Sequence, residues 1–261
     1  MVTKKQQWLI DETERVAREL HDNIEDYLHI LDKRYQDILG SLLADLSRVL
    51  NRSDPDAFKQ ARLQELIYQT QARITSLGGE VADELKDKLQ KISSESKLAH
   101  DAIMEKIAPK DLKTFVGLPV GAIDIATMFA YKDYAFETSI NKAILKTGEK
   151  LNDIIVEGIS KGWGITQYTK EIQEAMDSQA YYAKRIARTE TSRVYNEAAS
   201  QSYRDYGVTK VEWLATLEKR TCARCAALHG KKFNMNDVPP IPLHPHCRCT
   251  TVPVEINGVK L

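Results

Sequence analysis

The sequence predicts a mainly α protein: long amphipathic N-terminal helices, then a helical body ending in a small α+β module with a short antiparallel sheet. Three observations predict it. Apolar residues recur at helical spacing through most of the first 107 positions. All four cysteines fall between Cys222 and Cys249. Segments of alternating, β-branched character flank that cysteine window on both sides.

Residues 5–51 read as one long helix. Leu20, Ile24, Tyr27, Leu31, Tyr35, Ile38, Leu42, Leu46 and Val49 form one stripe at steps of three and four. Gly40 interrupts it at a cost of about 1 kcal/mol, which a helix tolerates. The break falls at Asn51–Pro55, where Ser53 or Asp54 can cap and Pro55 suits the first turn of the next helix. That helix carries Leu63, Leu66, Ile67, Ile74 and Leu77 and stops or bends at Gly78–Gly79. A third stripe runs from Val81 to Ile107 and ends at Pro109. Residues 1–109 thus read as an elongated helical arm or hairpin, either a plain bundle or a surface that docks on another protein.

Residues 110–122, with Gly117, Pro119 and Gly121, read as a loop and a domain boundary. A further helical stripe follows, including Ile125, Phe129, Phe136, Ile140, Ile144, Leu151, Ile155 and Ile159, with Gly148 as an interruption. Gly158, Gly162 and Gly164 mark a turn around Trp163, and Thr166 can cap a short helix through Met176. The last helix runs from Ser178 to Tyr206, with Gly207 as its C-terminal cap. Lys210–Leu217 and Thr250–Glu255 read as strands.

Between those strands the chemistry concentrates. Cys222 and Cys225 form C-x2-C, and His244 and Cys247 form H-x2-C after a gap of 18 residues. Two such pairs make one closed tetrahedral zinc site, with Cys249 able to replace His244 as the fourth ligand. A sheet this small buries little core, so a metal held over residues 210–255 would supply much of its folding energy. Three other chemistries compete. Paired disulfides need an oxidising compartment. A redox C-x-x-C sits at a helix start in a βαβ setting, which the sequence does not display. A catalytic zinc keeps one position open, whereas at least five donors crowd this window. The nucleobase-deaminase pattern fails too: His21, His29 and His100 lack the H-x-E partner, and Thr221 stands where proline would be needed.

Composition sets the remaining bounds. The 261 residues are 43% hydrophobic and 28% charged, a globular balance. No apolar run reaches membrane-span length, and the opening MVTKKQQWLIDETERV is neither a secretion signal nor an anchor. The expected compartment is therefore a reducing cytoplasm, which keeps thiols available for metal. Net charge is zero, yet residues 180–261 hold 13 Lys and Arg against 7 Asp and Glu. That basic end suits DNA or an acidic protein surface, or is an ordinary solvated surface.

One string of residues points further. It comprises ARTET (Ala187–Thr191), Asn196, Gly207-Val208, Glu212-Trp213, R-T-C-x-x-C with Leu228, Gly230 and Phe233, then HPHCRC (His244–Cys249). In this order it resembles the Mu F-like minor head proteins of tailed bacteriophages, the phage head morphogenesis family, over about residues 154–254. The resemblance implies a domain over 110–261 and a virion protein made in the host cytoplasm, at the capsid interior or portal vertex. Its implied partners are the portal protein and other capsid or scaffolding proteins, with non-specific contact to packaged DNA and none to membrane. It implies head assembly and DNA delivery, no enzymatic activity, and one structural zinc on Cys222, Cys225, His244 and Cys247. Arg188, Thr189 and Glu190 fall on its helical signature, in a structural role. The chain departs from the family at Ala223, where Pro is usual, and at His246, where Asn is frequent; His246 thereby adds a donor. Two alternatives remain beside it: a non-specific DNA-binding zinc module, and a phage-encoded toxin or enzyme.

Overall fold

The computed structural model describes residues 3–53, 56–108, 134–217 and 221–261. Four long helices dominate it: α1 (Lys4–Leu50), α2 (Asp56–Ile107), α3 (Tyr134–Lys161) and α4 (Ile165–Asp205). Strand β1 (Val208–Leu214), the one-turn helix α5 (Ala223–Ala226), β2 (Lys232–Asn234), β3 (Thr250–Ile256) and β4 (Val259–Lys260) follow. The mainly α architecture with a small C-terminal antiparallel sheet is the one the sequence predicts. Asp54, Pro55, Pro109, the loop 110–122, Ile125, Phe129 and Arg220 lie outside the described residues.

Three helical expectations change; the first is that α3 runs unbroken through Gly148, which does not interrupt it. The second and third stripes belong to one helix, α2, which passes through Gly78–Gly79 without stopping. Gly78 serves close packing instead: a Cβ there would sit 1.8 Å from Ile144 Cδ1 on α3. The segments through Met176 and from Ser178 are likewise one helix, α4, because no Gly or Pro separates them. The turn at Gly162–Gly164 and the cap at Gly207, with φ of +71°, stand as expected, whereas Gly158 lies inside α3, where a Cβ would sit 2.2 Å from Tyr168 Cζ.

The chain forms two compact units. One holds the described residues of 26–85 and 133–186. Its four helical stretches bury Leu31, Leu42, Ile74, Ile144, Ile155 and Ile172 among others. A buried polar chain crosses it: Thr147 donates to Gln179 Oε1 at 2.8 Å, and Gln179 donates to the Tyr35 hydroxyl at 3.4 Å. Arg34–Glu84 and Lys184–Asp32 ion pairs lie at its periphery.

The other unit holds the described residues of 1–25, 86–132 and 187–261. Its core joins Leu9, Val16 and Leu20 of α1, Ile92, Ile103 and Met104 of α2, Tyr195, Ala199 and Tyr203 of α4, and Val211, Val252 and Ile256 of the sheet. The sheet is antiparallel throughout, in the order β2-β1-β3-β4. Val211 pairs with Phe233 on one side and Pro253 on the other. Asn257 and Gly258, at φ of +45° and +80°, make the two-residue turn between β3 and β4.

Candidate metal centre

The cysteine window folds onto the end of β1. Trp213 N–H donates to the Lys231 carbonyl at 2.8 Å, and Gly230 N–H donates to the Trp213 carbonyl at 2.9 Å. This closes the first knuckle into a hairpin, whose return strand is β2. Cys222 caps α5: its backbone is extended, and its Sγ accepts from Cys225 N–H at 3.4 Å. The cap therefore aims Cys222 and Cys225 at a common point, as a C-x2-C knuckle requires.

The second knuckle, His244–Cys249, meets the first there. Cys222 Sγ lies 3.3 Å from His244 Nε2, and Cys225 Sγ lies 3.1 Å from the same nitrogen. Cys225 and Cys247 sulfurs are 3.8 Å apart. Two ligands of one tetrahedral zinc–thiolate site lie about 3.8 Å apart, given a Zn–S bond of about 2.3 Å. Two donor triads result, Cys222–Cys225–His244 and Cys225–Cys247–Cys249, each with its ligand atoms within 4.8 Å of one another. Cys225 belongs to both. All four cysteines are free thiols. His246 is in neither triad; its left-handed backbone, φ of +62°, turns the chain between His244 and Cys247.

The histidine is set for coordination. His244 Nδ1 donates to the Pro245 carbonyl at 2.8 Å, which leaves the Nε2 lone pair facing the two sulfurs. Around the donors lies an apolar shell. Trp213 is fully buried and meets Phe233 edge-on at 6.4 Å, with Leu228, Val238, Ile241 and Leu243 packed alongside. Cys225, Cys247 and Cys249 are each at most 4% exposed.

The buried thiols share their protons. A hydrogen bond from the Cys249 thiol holds Cys247 down to about 5. The same bond, seen from its donor, pushes Cys249 up, with burial adding to the effect. Burial raises Cys225 to about 12. Among the three buried cysteines Cys247 is thus the favoured thiolate, the Cys225 N–H holds Cys222 below its usual range, and a cation would draw protons from the rest.

Helix α4 braces the second knuckle. Thr189 Oγ1 accepts from His246 N–H at 3.2 Å. Asn196 Nδ2 donates to the Cys249 carbonyl at 3.1 Å, and the Tyr203 hydroxyl donates to the Thr251 carbonyl at 3.0 Å. From the β1 side, Thr216 Oγ1 donates to the Arg248 carbonyl at 3.0 Å. Arg188 makes a two-pronged pair with Glu25 at 2.6 and 2.7 Å, and Glu190 pairs with Arg193 at 2.7 Å. The clamps from Thr189, Asn196 and Tyr203 are invisible to motif spacing, because their partners are backbone groups about fifty residues away. Asn196 stood in the motif string without an assigned role. Its contact with Cys249 supplies one.

No helix among the described residues is long and apolar enough to cross a membrane. No solved structure matches the chain. An NAD(+)–arginine ADP-ribosyltransferase of Enterococcus faecalis is 26% identical over 130 residues, a match covering 43% of this chain and 26% of that protein. The chain thus spans about a quarter of that relative's length. The family model of the Phage Mu protein F like proteins matches residues 149–252, a stretch containing all of α4 and β1 and every metal-donor residue. Over residues 149–252 this chain is thus similar to the Mu F-like phage proteins.

Proposed function

We propose that the protein is a minor capsid protein of a tailed phage. In this reading it associates with the portal inside the procapsid, acts in head assembly and takes part in genome delivery. One structural zinc on Cys222, Cys225, His244 and Cys247, with Cys249 as the alternative ligand, locks its C-terminal module. The observation that carries this reading is the convergence of five soft donors inside an apolar shell, clamped by the helix that bears the family signature. Such crowding leaves little room for an open coordination position, so the metal acts as architecture. The test is co-sedimentation with portal protein across a range of salt, together with metal analysis. A stable complex and about one zinc per chain are expected; no association at any salt would overturn the portal assignment.

Two second readings have an observation behind them. The basic surplus of residues 180–261 favours non-specific contact with packaged DNA. Such binding would weaken steeply with salt, and a gel shift insensitive to salt removes it. The Enterococcus match carries an enzyme reading to this chain. Against it, Glu190, the signature carboxylate, is tied to Arg193. NAD cleavage by the purified chain that disappears in Glu190→Gln would make the protein an enzyme and reverse the ranking.

A further inference from the structure

A trough runs along α4 in the C-terminal unit, beside the cysteine cluster, with which it shares Val238 and Ile241. Its volume is about 490 Å³. One wall is a helix face bearing Arg193, Asn196, Glu197, Ser200 and Arg204. The other is the loop after β2, from Met235 and Asn236 through Val238 to Pro242; Val211 and Thr251 of the sheet complete the lining.

The helix wall holds uncommitted polar groups. Asn196 is 5% exposed, and its Nδ2 is used by the Ser192 and Cys249 carbonyls. Its Oδ1 is buried without any hydrogen-bond partner. A buried orphan acceptor costs stability, on the order of 1–3 kcal/mol, unless something donates to it. Arg204 and Glu197 are both exposed, and neither makes an ion pair among the described residues. Arg193 is partly committed to Glu190.

The layout favours a polypeptide over a small ligand. Pockets for small molecules gather a few convergent polar groups. Here they are strung along a line: Arg193 to Arg204 is eleven residues, about 16 Å at the helical rise. That is the reach of roughly five residues of extended chain. The opposite wall is apolar apart from Asn236, and its three prolines offer no N–H. One side therefore suits the polar edge of a strand and the other its side chains.

We propose that this trough takes an extended segment of a partner protein. The segment lays a main-chain N–H on Asn196 Oδ1 and an acidic side chain on Arg204. Only the choice of a polypeptide as occupant rests on the interaction reading above. The trough stands or falls independently of the portal.

The experiment is selection of a displayed random dodecapeptide library on the full, metal-loaded chain. Binding of the enriched peptides is then measured by fluorescence anisotropy. Enriched peptides are expected to share an acidic residue. Their affinity is expected to fall at least about tenfold in Arg204→Glu and in the trough-filling Ser200→Trp, both checked for native circular dichroism. Peptides with Lys in place of the acidic residue should recover binding to Arg204→Glu. No enrichment, or enriched peptides that bind both variants like the parent chain, would overturn the proposal. So would full competition by millimolar inorganic phosphate or by a single-stranded oligonucleotide. Portal co-sedimentation of Arg204→Glu separates the two readings. Unchanged portal binding with lost peptide binding leaves the trough in place with another partner. Peptide binding by a chain that never binds portal removes only the portal assignment.

Discussion

Asn196 donates its side-chain N–H to the carbonyl of Cys249 at 3.1 Å and, through the same nitrogen, to the carbonyl of Ser192 at 2.7 Å. One amide thereby fastens the end of the second knuckle to the middle of α4. The donor set is held in place by the helix even before a cation arrives, which lowers the cost of ordering it on binding.

Replacing Asn196 by Leu therefore weakens metal binding while leaving every thiol and imidazole in the sequence. Loss of such a supporting partner lowers metal affinity by roughly 10- to 100-fold. Competition with a chromogenic chelator measures it. Thr189→Val, which removes the acceptor for His246 N–H, should act in the same direction. Affinities indistinguishable from the parent chain would show that the knuckle folds without help from α4.

Single Cys→Ser changes sort the five donors. With Cys222, Cys225, His244 and Cys247 as ligands, Cys249→Ser keeps one bound zinc and Cys247→Ser loses most of its affinity. The reverse pattern would place Cys249 in the coordination shell. Zinc addition to the metal-free chain at neutral pH should also release protons, because the ligand Cys225 is held protonated by burial. A pH-indicator titration in weak buffer counts them.

The sequence made the donors legible and left their support obscure. C-x2-C and H-x2-C carry their own spacing, so Cys222, Cys225, His244 and Cys247 could be picked out as a set without any fold. The sheet was only half visible. Val208–Leu214 and Thr250–Ile256 are long enough to show β character, whereas β2 has three residues and β4 two. Asn257-Gly258 was the available signal for β4, since that dipeptide favours a two-residue hairpin turn. The unbroken α2 was hidden for a different reason. Paired glycines read as a stop, and only the approach of Ile144 shows why Gly78 is there.

That approach separates two neighbouring glycines. Gly79 has nothing within 4 Å of where a Cβ would lie, so Gly79→Ala should stabilise the helix by up to about 1 kcal/mol. Gly78→Ala gains the same propensity but drives a methyl into Ile144. Overpacking costs typically about 1–3 kcal/mol, so the net sign is destabilising. Thermal melts of the two variants should shift in opposite directions. Gly78→Ala combined with Ile144→Val should recover part of the loss.

Lys97 tests a buried charge. It is 7% exposed and lies 2.7 Å from Asp101 and 2.8 Å from Asp205, with Ser202 donating to the same Asp101 at 2.6 Å. Lys97→Met leaves two part-buried carboxylates facing each other, a loss of about 3–5 kcal/mol for a broken buried pair. Adding Asp101→Asn and Asp205→Asn removes the stranded charges and should restore much of the stability in urea unfolding. A single variant as stable as the parent would mean that water already screens the cluster.

His100 gives the unit a predictable acid limb. It is completely buried and meets Tyr195 and Tyr203 edge-on at 5.2 and 5.5 Å. Its Nδ1 donates to the Ser96 carbonyl at 2.7 Å, so the neutral ring already satisfies that nitrogen. Burial lowers its folded-state pKa to about 4 from an ordinary value of 6.5, against smaller opposing effects from the Ser96 carbonyl and Asp101. The unfolded chain therefore takes up a proton near pH 6.5, while the folded chain resists until about pH 4. Stability owed to this group is complete above pH 6.5, falls as the pH drops through that window, and levels off below it. The full loss is on the order of 3 kcal/mol. Carboxylates such as Glu25, held low by Arg188, lose their contribution in an overlapping acid range. The difference between the parent chain and His100→Phe isolates the histidine. Denaturant midpoints measured from pH 7.5 to 4 should converge for the two proteins as the pH falls. Parallel curves would mean that His100 is protonated in the folded protein and has found an anionic partner.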